Sequence, residues 1–383
     1  MPLSRRQFAA GATASALLLS NLKLKAFAKA LEETGLKDVF QDDFRIGAAL
    51  SSERFETKKD PILEPLVSRE FNAITLENDM KWERVQPKEN SWNWAIPDAF
   101  IEYGTQQNMY ICGHVLVWHS QIPEWVFKNS KGKPASRKQL LERMEKHINT
   151  CVGRYKGRID AWEVLNEAVD EDKGWRKSPW YQIIGEDYAE KAFRMAHNAD
   201  PSAHLYYNDY NMHSPDKRAF LLDYLKKQKK RGTPIQGIGM QGHVGLSYPE
   251  IHQFEASLKA YAAAGMRIHI SELEMDVLPA AWDFMGAEIS TSFEYSDELN
   301  PYSKGLPADI EKQMNERYVQ FFKLFLKYRE SIERITFWGV ADHESWKNDF
   351  PVKGRTNYPL LFDREYRRKP CYHAIKGLKK QAL

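Results

Sequence analysis

The sequence predicts a single (β/α)8 barrel, the TIM-barrel architecture of the α/β class. Three observations carry that prediction. Short β-branched or apolar runs recur eight times along the chain. Longer amphipathic stretches at helical spacing separate them. No Ser/Gly-rich or Pro-rich linker interrupts the alternation, so residues 29–383 read as one domain of a size that barrels commonly reach. Strands that alternate with helices pair in parallel, and eight of them close on themselves.

The strand candidates, in order, are Phe44–Leu50, Phe71–Leu76, Met109–Trp118, Arg158–Leu165, Ala203–Asn208, Ile235–Gln241, Met266–Ser271 and Glu333–Val340. Helical patterns fill the gaps, among them Lys138–Tyr155, Tyr188–Asn198, Asp216–Gly232, Tyr248–Gly265 and Ala308–Tyr328. Gly232 and Gly265 sit where a glycine closes a helix C-terminus. The stretch Pro279–Gly305 breaks the rhythm and predicts a long loop after the seventh strand.

Ahead of the barrel, residues 1–28 have the layout of a cleaved export signal. Arg5-Arg6 precede Phe8, a weakly apolar Ala/Gly-rich stretch follows, and Ala26-Phe27-Ala28 offers a small-x-small cleavage site. The paired arginines and the basic Lys23 and Lys25 match a twin-arginine address, which is read by a receptor and is no anchor. An exported protein, periplasmic or secreted, is expected. Removing this segment takes the formal charge from +3 to −1. A near-neutral chain is a poor nucleic-acid coat. With 28% charged and 43% hydrophobic residues the chain is neither a membrane-spanning protein nor a disordered one. Cys112, Cys151 and Cys371 are widely spaced and read as buried free thiols.

Chemistry in such a barrel sits at the C-terminal strand ends. There the sequence places Glu77, Asn78 and Lys81 after strand two, and His114 and Trp118 on strand three. Asn166 and Glu167 end strand four, Asn208 and Asp209 strand five, and Gln241 and His243 strand six. Glu272 and Glu274 end strand seven, Trp338 lies at the end of strand eight, and Trp346 follows it. Period-two alternation puts Glu163 and Glu167 on one face, and likewise Glu272 and Glu274. Glu167 and Glu272 then face each other across the mouth. Two carboxylates flanking a bound ring are the arrangement for glycoside hydrolysis. Gln241 and His243 lie one strand from Glu272 and are expected to hold it as an anion. Glu167 lies among aromatics with Glu163 on its strand, surroundings that suit an acid/base catalyst.

The chain closely resembles glycoside hydrolase family 10, the endo-β-1,4-xylanases. The resemblance rests on F-N-A-I-T-L-E-N-D-M-K-W from Phe71, G-H-V-L-V-W-H-S-Q-I-P-E-W from Gly113 and W-E-V-L-N-E-A from Trp162. It continues through Y-Y-N-D-Y-N from Tyr206, G-I-G-M-Q-G-H from Gly237, I-S-E-L-E from Ile270, F-W-G-V-A-D-H-E-S-W from Phe337 and L-L-F-D from Leu360. These motifs are in order and cover nearly all of residues 29–383. The resemblance implies a retaining double displacement with Glu167 as acid/base and Glu272 as nucleophile. It implies that Asn166 binds the sugar 2-hydroxyl, and that Glu77, Asn78 and Lys81 grip sugars on the non-reducing side. His114 and Trp118 would line the site of the cleaved sugar. Trp338 and Trp346 would crowd its C5 side, where xylose carries no hydroxymethyl group, and so favour xylan over cellulose.

One departure stands out. The family motif after the nucleophile reads E-L-D, whereas this chain has E-L-E, so Glu274 is expected to meet His243 through a longer arm and to tune the nucleophile. The substrate expected is xylan or xylo-oligosaccharides, with no cofactor, no metal and a monomeric chain. Two other readings are a retaining glycosidase for short xylo-oligosaccharides or cellulose, and an inactive sugar-binding barrel. The run Lys226–Arg231 reads as a solvated helix face, and Trp92 and Trp94 as packing. Trp125, Trp175 and Trp180 are open between core and cleft rim, and no H-E-x-x-H motif is present.

Overall fold

The computed structural model describes residues 34–56, 61–170, 174–279 and 297–380. The predicted export signal and most of the loop predicted after strand seven lie outside the described residues. Eight parallel strands close into a barrel: β1 (Arg45–Leu50), β2 (Ala73–Leu76), β3 (Tyr110–Val117), β4 (Ala161–Asn166), β5 (His204–Asp209), β6 (Gly237–Met240), β7 (Arg267–Asp276) and β8 (Ile332–Phe337). Each pairs with its sequence neighbours, and β8 pairs with both β7 and β1, which completes the ring.

Helices follow the strands on the outside: α1 (Leu63–Glu70), α2 (Ala95–Gln106), α3 (Arg137–Arg154), α4 (Asp187–Ala199), α5 (Pro215–Lys230), α6 (Ile251–Ala263), α7 (Ala308–Lys327) and α8 (Pro370–Lys380). Their apolar stripes dictate the packing. Along α3, Leu140, Met144, His147, Ile148, Cys151 and Val152 are buried, the i, i+4, i+7/8 spacing of one helix face. Ser136 and Gln139 start that helix with a reciprocal capping box. Gly232 and Gly265 adopt positive φ just past α5 and α6, as expected for glycines that end helices.

Strand boundaries differ from the sequence pattern in two informative places. The seventh strand runs five residues beyond Ser271, to Asp276, so Glu272 and Glu274 lie within it. A short strand, His243–Gly245, pairs in parallel with Glu274–Asp276 and supplies the extra ladder. The helix expected from Tyr248 begins only at Ile251, because Pro249 disfavours a helical conformation at the residue before it. All three cysteines are buried and free. Most of the Lys226–Arg231 run is exposed, as expected. No helix among the described residues is long and apolar enough to cross a membrane.

Candidate active site

The mouth of the barrel is organised around two buried glutamates. Glu167 follows β4 directly and has φ +52°, a left-handed conformation that costs a non-glycine residue about 1–3 kcal/mol. Its backbone N–H donates to the Asn208 carbonyl of β5 at 2.9 Å, which holds the turn. Its side chain is only about 8% exposed. Trp118 Nε1 donates to Oε2 at 2.9 Å, and Gln241 Nε2 donates to Oε1 at 3.0 Å.

Glu272 lies within β7 and is 5% exposed. Asn208 Nδ2 donates to its Oε1 at 2.9 Å, and His243 Nε2 lies 3.3 Å from its Oε2. Burial pushes this carboxyl up, but the hydrogen bonds and charge of His243, the nearby His114 and the Asn208 amide bring it below the ordinary carboxylate value. Glu272 is thereby held as an anion.

The residues that link the two acids correct the sequence reading in one respect. Gln241 was expected to support Glu272. Its side chain instead donates to Glu167 and, at 3.3 Å, to Asn166 Oδ1. Only the Gln241 carbonyl meets Glu272, accepting its backbone N–H at 2.7 Å. The amide that holds Glu272 belongs to Asn208, a fully buried residue that the sequence reading placed at the end of strand five without giving it a role. Ser271 Oγ donates to Asn208 Oδ1 at 2.6 Å, and Asn208 Nδ2 also reaches Asn166 Oδ1 at 3.2 Å. The signal for Asn208 was its place at the end of β5. Strands β5 and β6 lie between β4 and β7, so their terminal amides bridge the carboxylates.

His243 is held from both sides. Its Nδ1 lies 2.7 Å from Glu274 Oε1 while Nε2 faces Glu272. Burial would lower its pKa, but the two glutamates outweigh burial and raise it to about 9. Trp346 Nε1 donates to Glu274 Oε1 at 2.9 Å, and Lys347 Nζ sits 3.6 Å from the same oxygen. The contact expected between His243 and Glu274 is thus present.

The remaining expected residues contact one another at the same strand ends. Lys81 Nζ donates to Asn78 Oδ1 and Gln121 Oε1, both at 2.8 Å, and lies 5.3 Å from the Trp118 ring centroid. Burial lowers the Lys81 pKa, opposed by the charges of Glu77, Glu272 and Glu167. Burial likewise raises the Glu77 carboxyl, opposed by Lys81. His114 Nδ1 bonds Glu163 Oε2 at 2.7 Å, and the Trp338 ring packs edge-on against His114 at 5.2 Å. The Glu163 carboxylate therefore has its own imidazole partner.

A family model described as glycosyl hydrolase family 10 matches residues 35–378. The chain belongs to glycosyl hydrolase family 10. Endo-1,4-beta-xylanase A of Xylanibacter ruminicola is 43% identical over 357 residues, which span 93% of this chain and 96% of that protein. A solved endoxylanase of the family, retrieved from a sugarcane soil metagenome, is 53% identical with a TM-score of 0.87, covering 90% of this chain and all of that one. A mutant structure in complex with xylotriose is 33% identical with a TM-score of 0.79, covering 90% of this chain and 99% of that one.

In this family 10 chain several tryptophans serve packing. Trp82, although adjacent to Lys81, stacks on His147 at 3.6 Å and lies in the core. Trp180 is buried and donates to the Trp118 carbonyl at 2.8 Å, so it props the loop that carries Trp118. Trp175 packs edge-on against Tyr188, Phe220 and Tyr224, and Trp125 donates to the Pro87 carbonyl. Trp92 stacks on Trp94, as expected for packing. Donor atoms of His114, Glu163 and Glu272 come within 4.8 Å of one another. The 2.7 Å His114–Glu163 contact is hydrogen-bond length, however, whereas two ligands of a tetrahedral ion at about 2.1 Å each stand roughly 3.4 Å apart. The cluster reads as a hydrogen-bonded pair beside an anion.

Proposed function

We propose that this family 10 member is a retaining endo-1,4-β-xylanase acting on internal bonds of xylan. The observation that carries the reading is the unequal treatment of the two buried glutamates on one amide bridge. Glu272 faces a charged imidazole and an amide donor, which keeps it ionised for attack on the anomeric carbon. Glu167 receives only neutral donors, Trp118 and Gln241, and is placed to give a proton to the leaving oxygen. That attack forms a glycosyl ester on Glu272 and releases the leaving sugar. Glu167, now ionised, takes a proton from water, and the resulting hydroxide equivalent attacks the same carbon and frees Glu272.

Asn166 lies between the two acids. Its Nδ2 makes only a 3.5 Å contact with Glu167, so it retains donor capacity for the sugar 2-hydroxyl. Glu77, Asn78 and Lys81 form the polar grip on the non-reducing side. Trp338 and Trp346 supply the bulk that excludes a hydroxymethyl group at C5. Export by the twin-arginine route, with cleavage after Ala28 and residues 29–383 as the catalytic barrel, belongs to the same proposal. The test is kcat/KM on polymeric xylan against aryl xylobiosides and cellulose. The polymer is expected to compete at least equally with the short substrates and to exceed cellulose by orders of magnitude. A strong preference for short substrates would overturn the endo reading, and binding unaffected by Glu272→Gln with no turnover in the wild type would indicate a sugar-binding barrel.

A further inference from the structure

The loop after β8 delivers a lysine to the C-terminal end of β7. Lys347 is 1% exposed, and a buried ammonium is tolerated only when paired. Its Nζ lies 3.0 Å from Asp276 Oδ2 and 3.6 Å from Glu274 Oε1, so it bridges two carboxylates two residues apart on one face of β7. Asp276 is held further by Asn357 Nδ2 at 3.0 Å. Glu274 in turn orients His243, whose other nitrogen faces Glu272. An unbroken chain of charges therefore runs from the nucleophile proposed above through His243 and Glu274 to Lys347 and Asp276.

We propose that Lys347 is a positioning residue for Glu272, acting by holding the Glu274 carboxylate where it fixes the His243 ring. The inference rests on the reading of Glu272 as the nucleophile. Without Lys347, the acids Glu272, Glu274 and Asp276 would share the charge of His243 and that of Arg355, which acts on Asp276. Loss of the cation would remove one of the contacts that hold the Glu274 carboxylate beside His243. Other groups facing this chain are Glu77 from the β2 end, Tyr318 from α7, and His114 and Lys81 beside Glu272. None of them adds a cation beside Glu274. Burial lowers the Lys347 pKa, but Asp276 and Glu274 more than compensate and raise it, which keeps it charged throughout the working range.

The test is the pH profile of kcat/KM for Lys347→Met, Lys347→Arg and Asp276→Asn. Loss of the cation favours protonation of every neighbour, so both limbs of the Lys347→Met profile are expected to move up by about one pH unit, with kcat falling more than KM rises. Lys347→Arg should return the limbs toward the wild type. Asp276→Asn removes the opposite charge and should move both limbs down, which keeps the test open if Lys347→Met does not fold. Unmoved limbs in Lys347→Met, or in Asp276→Asn if only that variant folds, would overturn the proposal. Labelling of the wild type by a 2-fluoro xylobioside at Glu272 separates that failure from a wrong nucleophile.

Discussion

Glu167 and Glu272 are alike in chemistry and burial, and the different roles proposed for them rest on their neighbours. A proton donor matters most when the leaving group is poor. Glu167→Ala is expected to lower kcat/KM on xylan by about 10²–10⁴-fold, and much less on a xyloside with an activated phenol leaving group. Equal losses on both, measured by steady-state kinetics, would remove Glu167 from the acid role. His243 carries a second prediction. Its pKa rises from 6.5 to about 9 on folding, so the native state binds the proton more tightly. Its contribution to stability is complete below about pH 6.5 and is lost as pH rises toward 9. Denaturation midpoints of wild type and Glu274→Gln, followed from pH 6 to 9, should converge as pH rises. At this scale the two glutamates were legible in the sequence because period-two spacing and strand order place them. The amide partners were not. Register shifts between Glu163 and Leu165 and between Ile270 and Leu273 break strict alternation, so which amide meets which carboxylate depends on bulges that no spacing reveals.

Strand β6 shows how an element serves the site. A Cβ on Gly239 would come within 2.2 Å of Asn208 Oδ1 and 2.6 Å of His269 Nε2. The missing side chain is what allows Asn208 to stand beside Glu272. Gly239→Ala is expected to cost about 1–3 kcal/mol of stability through overpacking and to lower kcat with little change in KM, read by thermal melting and kinetics. A variant with wild-type kcat would mean that Asn208 does not hold the proposed nucleophile. Elements were legible where period and punctuation agreed, as in α5 and α6 with their terminal glycines. The end of β7 was not, because its last residues are strand only through their pairing with His243–Gly245, a partner distant in sequence.

The whole molecule closes at Glu70, which is fully buried at the end of α1. It accepts from the Leu36 backbone N–H at 3.0 Å, Tyr372 Oη at 2.8 Å and Arg368 Nη2 at 2.9 Å, and so ties both ends of the barrel chain to one carboxylate. Glu70→Ala removes the anion from between Arg69 and Arg368 and is expected to cost about 3–5 kcal/mol, with kcat at moderate temperature unchanged. A melting temperature equal to the wild type would show that these ends are held by packing alone. The barrel was legible as a whole because eight apolar runs and intervening amphipathic stretches admit one closed parallel arrangement. The Glu70 tie was not legible, since its partners stand 34 and about 300 residues away. The central claim is that Glu272 forms a covalent intermediate with a xylose-configured sugar. It is tested most directly by incubating the enzyme with 2,4-dinitrophenyl 2-deoxy-2-fluoro-β-xylobioside and mapping the adduct by peptide mass spectrometry. One fluoroxylobiosyl group per chain on the peptide containing Glu272 is the result expected. Release of dinitrophenol with no accumulated adduct, or labelling at Glu167 instead, would contradict it.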